Sequence, residues 1–249
     1  MEEQIQQLIE QLFQVLRTIL NSTAPLLDQA DEAFNWFVLF VQWSAIILSA
    51  LAGLYAARRR GMDFFGSMVI AFVVSLGGGT LRDVLLGRDP VFWLAEPVYA
   101  VTVLVIALLS ILAGRQAQRS QTVARVAQPI ERIADEHSRW FIFIDALALG
   151  LWAYLGTIYA LQMSISPVVA PIMGVITAAF GGILRDLFFA KVPQSFMPGQ
   201  LYAVAAAAGA IVYVLLWELG ADSTISFLAC FVLTFTIRIT SVKFNIQSR

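Results

Sequence analysis

Two arginine–aspartate pairs stand in a chain that is otherwise poor in charge. Arg82-Asp83 follows Gly77-Gly78-Gly79, and Arg185-Asp186 follows Gly181-Gly182. The second stretch repeats the first at an offset of 103 residues. Gly78, Gly79, Leu81, Arg82, Asp83 and Pro90 map onto Gly181, Gly182, Leu184, Arg185, Asp186 and Pro193, and Arg88 maps onto Lys191. Adjacent glycines weaken a helix. They let it bend or unwind, or they let another backbone come close. Carbonyls freed by unwinding would transiently coordinate a monovalent cation near Gly77–Gly79 and Gly181–Gly182. Ionisable side chains at membrane depth are costly, so they pair or line water. One reading has Arg82 pairing with Asp186 and Arg185 with Asp83, holding two halves of the molecule together. The others are a lining or gating role in a pathway, and contact with lipid headgroups.

Asp145 is a further candidate. It lies about two turns into a helix that starts near a capping Ser138, at ~3.6 residues per turn. It serves either as a cap or surface partner, or in a pathway or proton role. Arg88 and Lys191 read as loop charges, and Phe92 and Trp93 as interfacial anchors. Little other chemistry is on offer. The only cysteine, Cys230, sits in an apolar run, and the only histidine, His137, in a polar one. That excludes a disulfide framework and a cysteine metal site, and gives no support to a histidine metal site or a catalytic triad. No phosphate-binding Gly-rich loop is present. No catalytic residue, cofactor, fixed metal site or nucleic-acid partner is expected.

The elements that must position these residues are apolar helices. The 249 residues are 59% hydrophobic and only 13% charged, about half the charge of a soluble domain. The expectation is an all-α integral membrane protein. Residues 1–35 form an amphipathic extension, with Ile5, Leu8, Ile9, Leu12, Phe13, Leu16, Ile19 and Leu20 on one face. It is either a surface helix or a seam that bundles subunits, and it opens on Glu2 and Glu3 rather than a basic leader. Spans are expected at Trp36–Ala57, Phe64–Leu81 (capped by Asp63), Pro97–Gly114, Trp140–Leu161, from Ser166-Pro167 to Gly181-Gly182, from Pro198-Gly199 to Trp217, and Ser223–Ile237.

Seven spans put Arg58–Arg60, five arginines of the 115–139 linker, Lys191, Arg238, Lys243 and Arg249 on one side, against Arg17 and Arg88 on the other. The positive-inside rule then places the N-terminus outside and the C-terminus in the cytoplasm. The two motif copies run in opposite directions, so 36–114 and 140–217 read as inverted three-helix repeats. Residues 218–249 add a seventh helix and a tail.

Gly77-Gly78-Gly79-x-x-Arg82-Asp83-x-Leu85-Leu86-Gly87 and Gly181-Gly182-x-x-Arg185-Asp186 resemble the prokaryotic TRIC (trimeric intracellular cation) channels, a bacterial group also labelled glycine-transporter-like. Gly53-Leu54-Tyr55-Ala56-Ala57-Arg58-Arg59 and Asp145-Ala146-Leu147-Ala148-Leu149-Gly150 add to the match, which covers about residues 36–240. The resemblance implies a homotrimer in the bacterial inner membrane, with one pore per subunit between kinked second and fifth helices. It implies potassium as the chief cargo, with sodium also passing. The second copy has Phe180 where the first has a glycine, so the two breaks are expected to differ. The alternatives from other classes are a carrier for glycine or another small zwitterion, and an assembly protein that uses residues 1–20 as a bundling arm.

Overall fold

A protein backbone in hydrocarbon has no water to satisfy it, so spanning segments must close their hydrogen bonds internally, as helices do. The computed structural model describes residues 30–119, 139–196 and 201–244. Among these, the regular structure consists of eight α-helices and one 3-10 turn. They are α1 (Ala30–Arg59), α2 (Phe64–Leu85), α3 (Phe92–Ala95), α4 (Val98–Arg119), α5 (Arg139–Gln162), α6 (Ala170–Phe188), α7 (Tyr202–Glu218) and α8 (Ser223–Lys243). Five are long and apolar enough to cross a membrane: α1 from Trp36, α2, α5 from Phe141, α6 and α8. Val98–Ser110 of α4 and the whole of α7 are shorter apolar helices. The amphipathic stretch 1–20, most of the linker and the Ser138 cap lie outside the described residues.

Local signals set most boundaries. The Gly66 N–H donates to Asp63 Oδ1 at 2.7 Å, so Asp63 caps α2. The Thr224 and Ile225 N–H groups donate to Asp222 Oδ1 at 2.8 and 3.3 Å, which caps α8 in the same way. Several boundaries depart from expectation: α1 begins at Ala30 rather than Trp36, α2 ends at Leu85 rather than Leu81, and α4 ends at Arg119 rather than Gly114. The helix expected at Ser166-Pro167 begins at Ala170, with Pro171 in its first turn. The Val169 and Ala170 N–H groups both donate to the Ser166 carbonyl, so Pro167–Val169 close a separate turn first. The last helix passes its expected end at Ile237 and runs to Lys243, which takes Arg238 into its interior.

Packing follows the sequence repeat. α1 packs on α2 as α5 packs on α6; α4 leans on α1 and α2 as α7 leans on α5 and α6. The two sets meet where α1 faces α5 and α2 crosses α6, and α8 packs on α5 and α7. The middle of α5 is buried on all sides, from Leu149 to Ile158. Tyr154 sits edge-on to Tyr213 and Phe227 with ring centres 5.2 and 4.8 Å away. Trp152 donates its indole N–H to Ser49 Oγ at 2.9 Å, tying α5 to α1. Leu108, Leu109, Ile211, Leu215, Leu228 and Val232 point outward from α4, α7 and α8. That leaves apolar faces suited to lipid.

Candidate functional site

The crossing of α2 and α6 is built by the glycines. Neither helix unwinds: α2 runs unbroken through Gly77–Gly79 and α6 through Gly181–Gly182. The expectation of freed carbonyls at these positions is therefore corrected. A Cβ on Gly78 would stand 2.1 Å from the Thr177 carbonyl oxygen, and one on Gly181 would stand 2.4 Å from that of Val74. Small residues let membrane helices approach backbone to backbone, which supplies the dispersion that lipid cannot. The two contacts are reciprocal, since Thr177 is Val74 displaced by 103 residues, as Gly181 is Gly78. Gly79 lies under the Phe92 ring, where a Cβ would come within 2.6 Å of Cε1. Gly182 has only the Tyr202 hydroxyl near it, at 3.8 Å.

Each motif copy ends its helix in the same way. In α2 the Arg88 N–H donates to the Asp83 carbonyl and the Gly87 N–H to that of Val84; in α6 Lys191 and Ala190 bond Asp186 and Leu187 likewise. This is the Schellman arrangement, whose left-handed residue is usually glycine. Gly87 has φ +68°, whereas Ala190 holds the position at φ +52°.

The arginines lie in these last turns, where positive charge suits the helix C-terminus. Arg82 and Asp83 are fully buried. Arg82 places Nε and Nη2 each 2.8 Å from Asp83 Oδ1. Arg185 meets Asp186 Oδ1 in the same way, at 2.9 and 2.8 Å. The expected pairs Arg82–Asp186 and Arg185–Asp83 are thus corrected: each arginine binds the aspartate beside it. Neighbours one apart on a helix do not ordinarily face each other. Here the helix is ending, and the Arg82 guanidinium lies over two rings, 4.3 Å from the centre of Tyr159 and 5.5 Å from that of Phe92. These cation–π faces stand in for acceptors around a group whose Nη1 has no hydrogen-bond partner among the described residues.

Asp83 carries more than Arg82. Its Oδ2 accepts from the Phe92 N–H at 2.7 Å, and Arg88 Nη1 approaches Oδ1 at 3.3 Å. Arg88 lies in the loop, as expected, but it is only part-exposed and turns its guanidinium over Tyr159 at 4.9 Å. Phe92 is buried, and Trp93 donates to Thr80 Oγ1 at 2.9 Å, so both pack inward rather than anchoring an interface. Tyr159 donates its hydroxyl to Gln42 Oε1 at 2.6 Å. Lys191, by contrast, is exposed.

The second copy gathers a different set. Asp145, on α5, accepts from the Tyr202 hydroxyl at 3.4 Å through Oδ1 and faces Arg238 Nη2 at 3.5 Å through Oδ2. Arg238 is 2% exposed. It was expected among the cytoplasmic loop charges, and the helix carries it inside instead. Its polar company on one face of α8, Thr234 and Ser241 at spacings of four and three, is the signal that would have found it. Asp145 is therefore paired within the fold.

A cavity lies where the two copies meet. It is lined by Val74, Ser75 and Gly78 of α2, by Asp145, Ala148, Leu149 and Trp152 of α5, and by Thr177, Ala178, Gly181, Gly182 and Arg185 of α6. Ser49 and Ala52 of α1 and Tyr202 of α7 complete it. Its interior, about 20 Å³ to water centres, has room for about one water. A hydrated ion does not pass through it in this conformation. Gly77 and Gly79, Arg82 and Asp83 border the crossing outside this lining.

Comparison with known proteins adds to the geometry. A family model described as "Glycine transporter" matches twice, over residues 39–115 and 142–218, again 103 apart. A UPF0126 membrane protein of Vibrio cholerae is 31% identical over 200 residues, covering 80% of this chain and 76% of its own. The UPF0126 inner membrane protein YadS of Escherichia coli K12 is 31% identical over 179 residues, 70% and 78% of the two chains. Among solved structures, the TRIC trimeric intracellular cation channel orthologue of Rhodobacter sphaeroides superposes with a TM-score of 0.72 at 32% identity. That match covers 84% of this chain and 99% of the other. A second structure, of a TRIC cation channel studied for conductance, gives 0.69 at 26% identity over 84% and 95%.

Proposed function

This chain belongs to the family of the prokaryotic TRIC channels, proteins that are channels and not enzymes, and we propose that it is itself a potassium-permeable channel for monovalent cations. Sodium passes too. The working form is a homotrimer in the bacterial inner membrane, with one pore in each subunit. Two inverted repeats, 36–114 and 140–217, are joined by the cytoplasmic linker 115–139 and followed by the seventh spanning helix within 218–249. The reciprocal Gly78–Thr177 and Gly181–Val74 contacts, the twinned packing and the doubled family match support the repeat. The bias of lysine and arginine to one side favours an external N-terminus and a cytoplasmic C-terminus. Arg238 drops out of that count, and the bias survives its loss.

One observation carries the reading. The two motif copies close on a single cavity that holds Asp145 and Arg185 at its wall. The pore runs there, between α2 and α6, and it is shut in this conformation. Opening requires α2 and α6 to slide or part at the glycine crossing. Arg82–Asp83 and Arg185–Asp186 fasten the two helix ends and place positive charge beside the path.

The rival carrier for glycine needs half-helix N-termini for a carboxylate and unwound carbonyls for an ammonium group. Continuous α2 and α6 offer neither at the motif. The purified protein in planar bilayers under a potassium chloride gradient is expected to give unitary currents that reverse toward the potassium potential. Silent bilayers, with saturable uptake of labelled glycine into liposomes, would overturn the channel reading.

A further inference from the structure

Among the described residues, three arginines that are themselves buried each pair with a carboxylate, and one pair is unlike the others. Arg82–Asp83 and Arg185–Asp186 close at 2.8 Å. Arg238–Asp145 stands at 3.5 Å, and the Tyr202 hydroxyl reaches the same carboxylate at only 3.4 Å. Asp145 is thus the loosely held carboxylate. It is also the only aspartate of the three that lines the cavity.

The pair has no counterpart in the first half. Displaced by 103 residues, Asp145 falls on Gln42, a neutral side chain that accepts from Tyr159 at 2.6 Å. The carboxylate is therefore particular to the second repeat. Its cation comes from α8, the helix that stands outside the repeat. Arg238 reaches it across the Tyr202 ring, with its guanidinium 4.8 Å from the ring centre.

We infer that Arg238 is a positioning residue of the conduction path: a tethered guanidinium that occupies the Asp145 carboxylate when the pore is shut and yields it to the permeating cation. The inference rests on the channel reading above. Its logic is electrostatic. Asp145 is largely withdrawn from water, at 15% exposure, and a carboxylate in that setting is costly without a counter-charge, so it favours a neighbouring cation in every conformation. With room for about one water beside it, the cavity cannot bring one from solution, and α8 provides it. When α2 and α6 part, a dehydrating potassium ion meets an acidic group whose two long contacts are easily exchanged. Arg185 shares the cavity wall but is bonded to Asp186 at 2.8 Å, so Arg238 and the mobile cation are the two that compete for the Asp145 carboxylate itself.

The experiment compares wild type, Arg238→Gln, Arg238→Lys, Asp145→Asn and the double variant Arg238→Gln/Asp145→Asn in planar bilayers, with current measured against potassium concentration. Removing the competitor in Arg238→Gln is expected to raise the open fraction and to lower the half-saturating potassium concentration by about fivefold or more, at the low end of ordinary coupling between two ligands. Arg238→Lys, which keeps the charge and loses the planar fork, lies between. Asp145→Asn raises the half-saturating concentration, and the double variant matches Asp145→Asn because no carboxylate remains to contest. A purely structural ion pair would change yield and melting without moving the saturation curve. Should Arg238→Gln fail to fold, Arg238→Lys and the charge-neutral double variant decide the matter. Wild-type saturation curves in those two overturn the inference. No wild-type current at all would overturn the channel reading instead.

Discussion

Replacing Gly78 by alanine tests the crossing at its tightest point. The added Cβ would sit 2.1 Å from the Thr177 carbonyl oxygen, and ordinary contact begins near 3.4 Å, so the backbones must part by about 1.3 Å. The obstacle is a backbone carbonyl in a continuous helix, which has no rotamer to give way. Overpacking of this kind costs about 1–3 kcal/mol, against a helix-propensity gain of at most ~1 kcal/mol for glycine to alanine. Gly182→Ala makes the same chemical change in the second copy, one residue past Gly181, where the nearest atom is the Tyr202 hydroxyl at 3.8 Å. There only the propensity gain remains. Thermal unfolding in detergent should show Gly78→Ala below wild type and Gly182→Ala at or above it, with roughly 2–4 °C per kcal/mol for a chain of this length. Gly181→Ala should behave as Gly78→Ala does, since its Cβ would meet Val74 at 2.4 Å. Equal melting of Gly78→Ala and Gly182→Ala would refute the close-approach account of the motif.

Two further expectations follow from the site. Asp83→Asn takes the shared carboxylate from Arg82 and Arg88, so unfolding stability should fall by about 3–5 kcal/mol; Arg88→Gln, which removes a part-exposed partner at 3.3 Å, should cost less than ~1 kcal/mol. At the helix ends, Gly87→Ala should destabilise by about 1–2 kcal/mol because it puts a Cβ in the left-handed region. Ala190→Gly relieves that same strain and should be neutral or stabilising, and a matched pair of melting curves reads both.

Much of this architecture was legible from residue spacing. The 103-residue offset joined two stretches that the fold brings together, and Asp63 announced a cap that the structure contains. Three things were not legible, each for a physical reason. Consecutive glycines suggest weakness when a helix is considered alone, yet tight packing of α2 against α6 keeps both intact; the partner backbone is invisible in a local window. One reading of the sequence pairs each arginine with the aspartate of the opposite copy to hold the halves together, but Tyr159 and Phe92 flank the Arg82 guanidinium at the helix end, beside its own Asp83. Arg238 was placed in a loop because hydropathy ends a span at the first charge. The helix continues because Asp145 is there to receive it. An acid two turns inside the fourth span calls for a base from elsewhere, and that was the clue available in the sequence.

The central claim is that cations cross between α2 and α6 through the cavity both motif copies enclose. Cysteine accessibility during conduction tests it directly. Ala178 lines the cavity, Leu109 points outward from α4, and the native Cys230 is buried. A charged thiol reagent applied to open channels should block the potassium current of Ala178→Cys and leave Leu109→Cys and wild type conducting. Unaltered current through fully modified Ala178→Cys would contradict the account and place the pathway elsewhere.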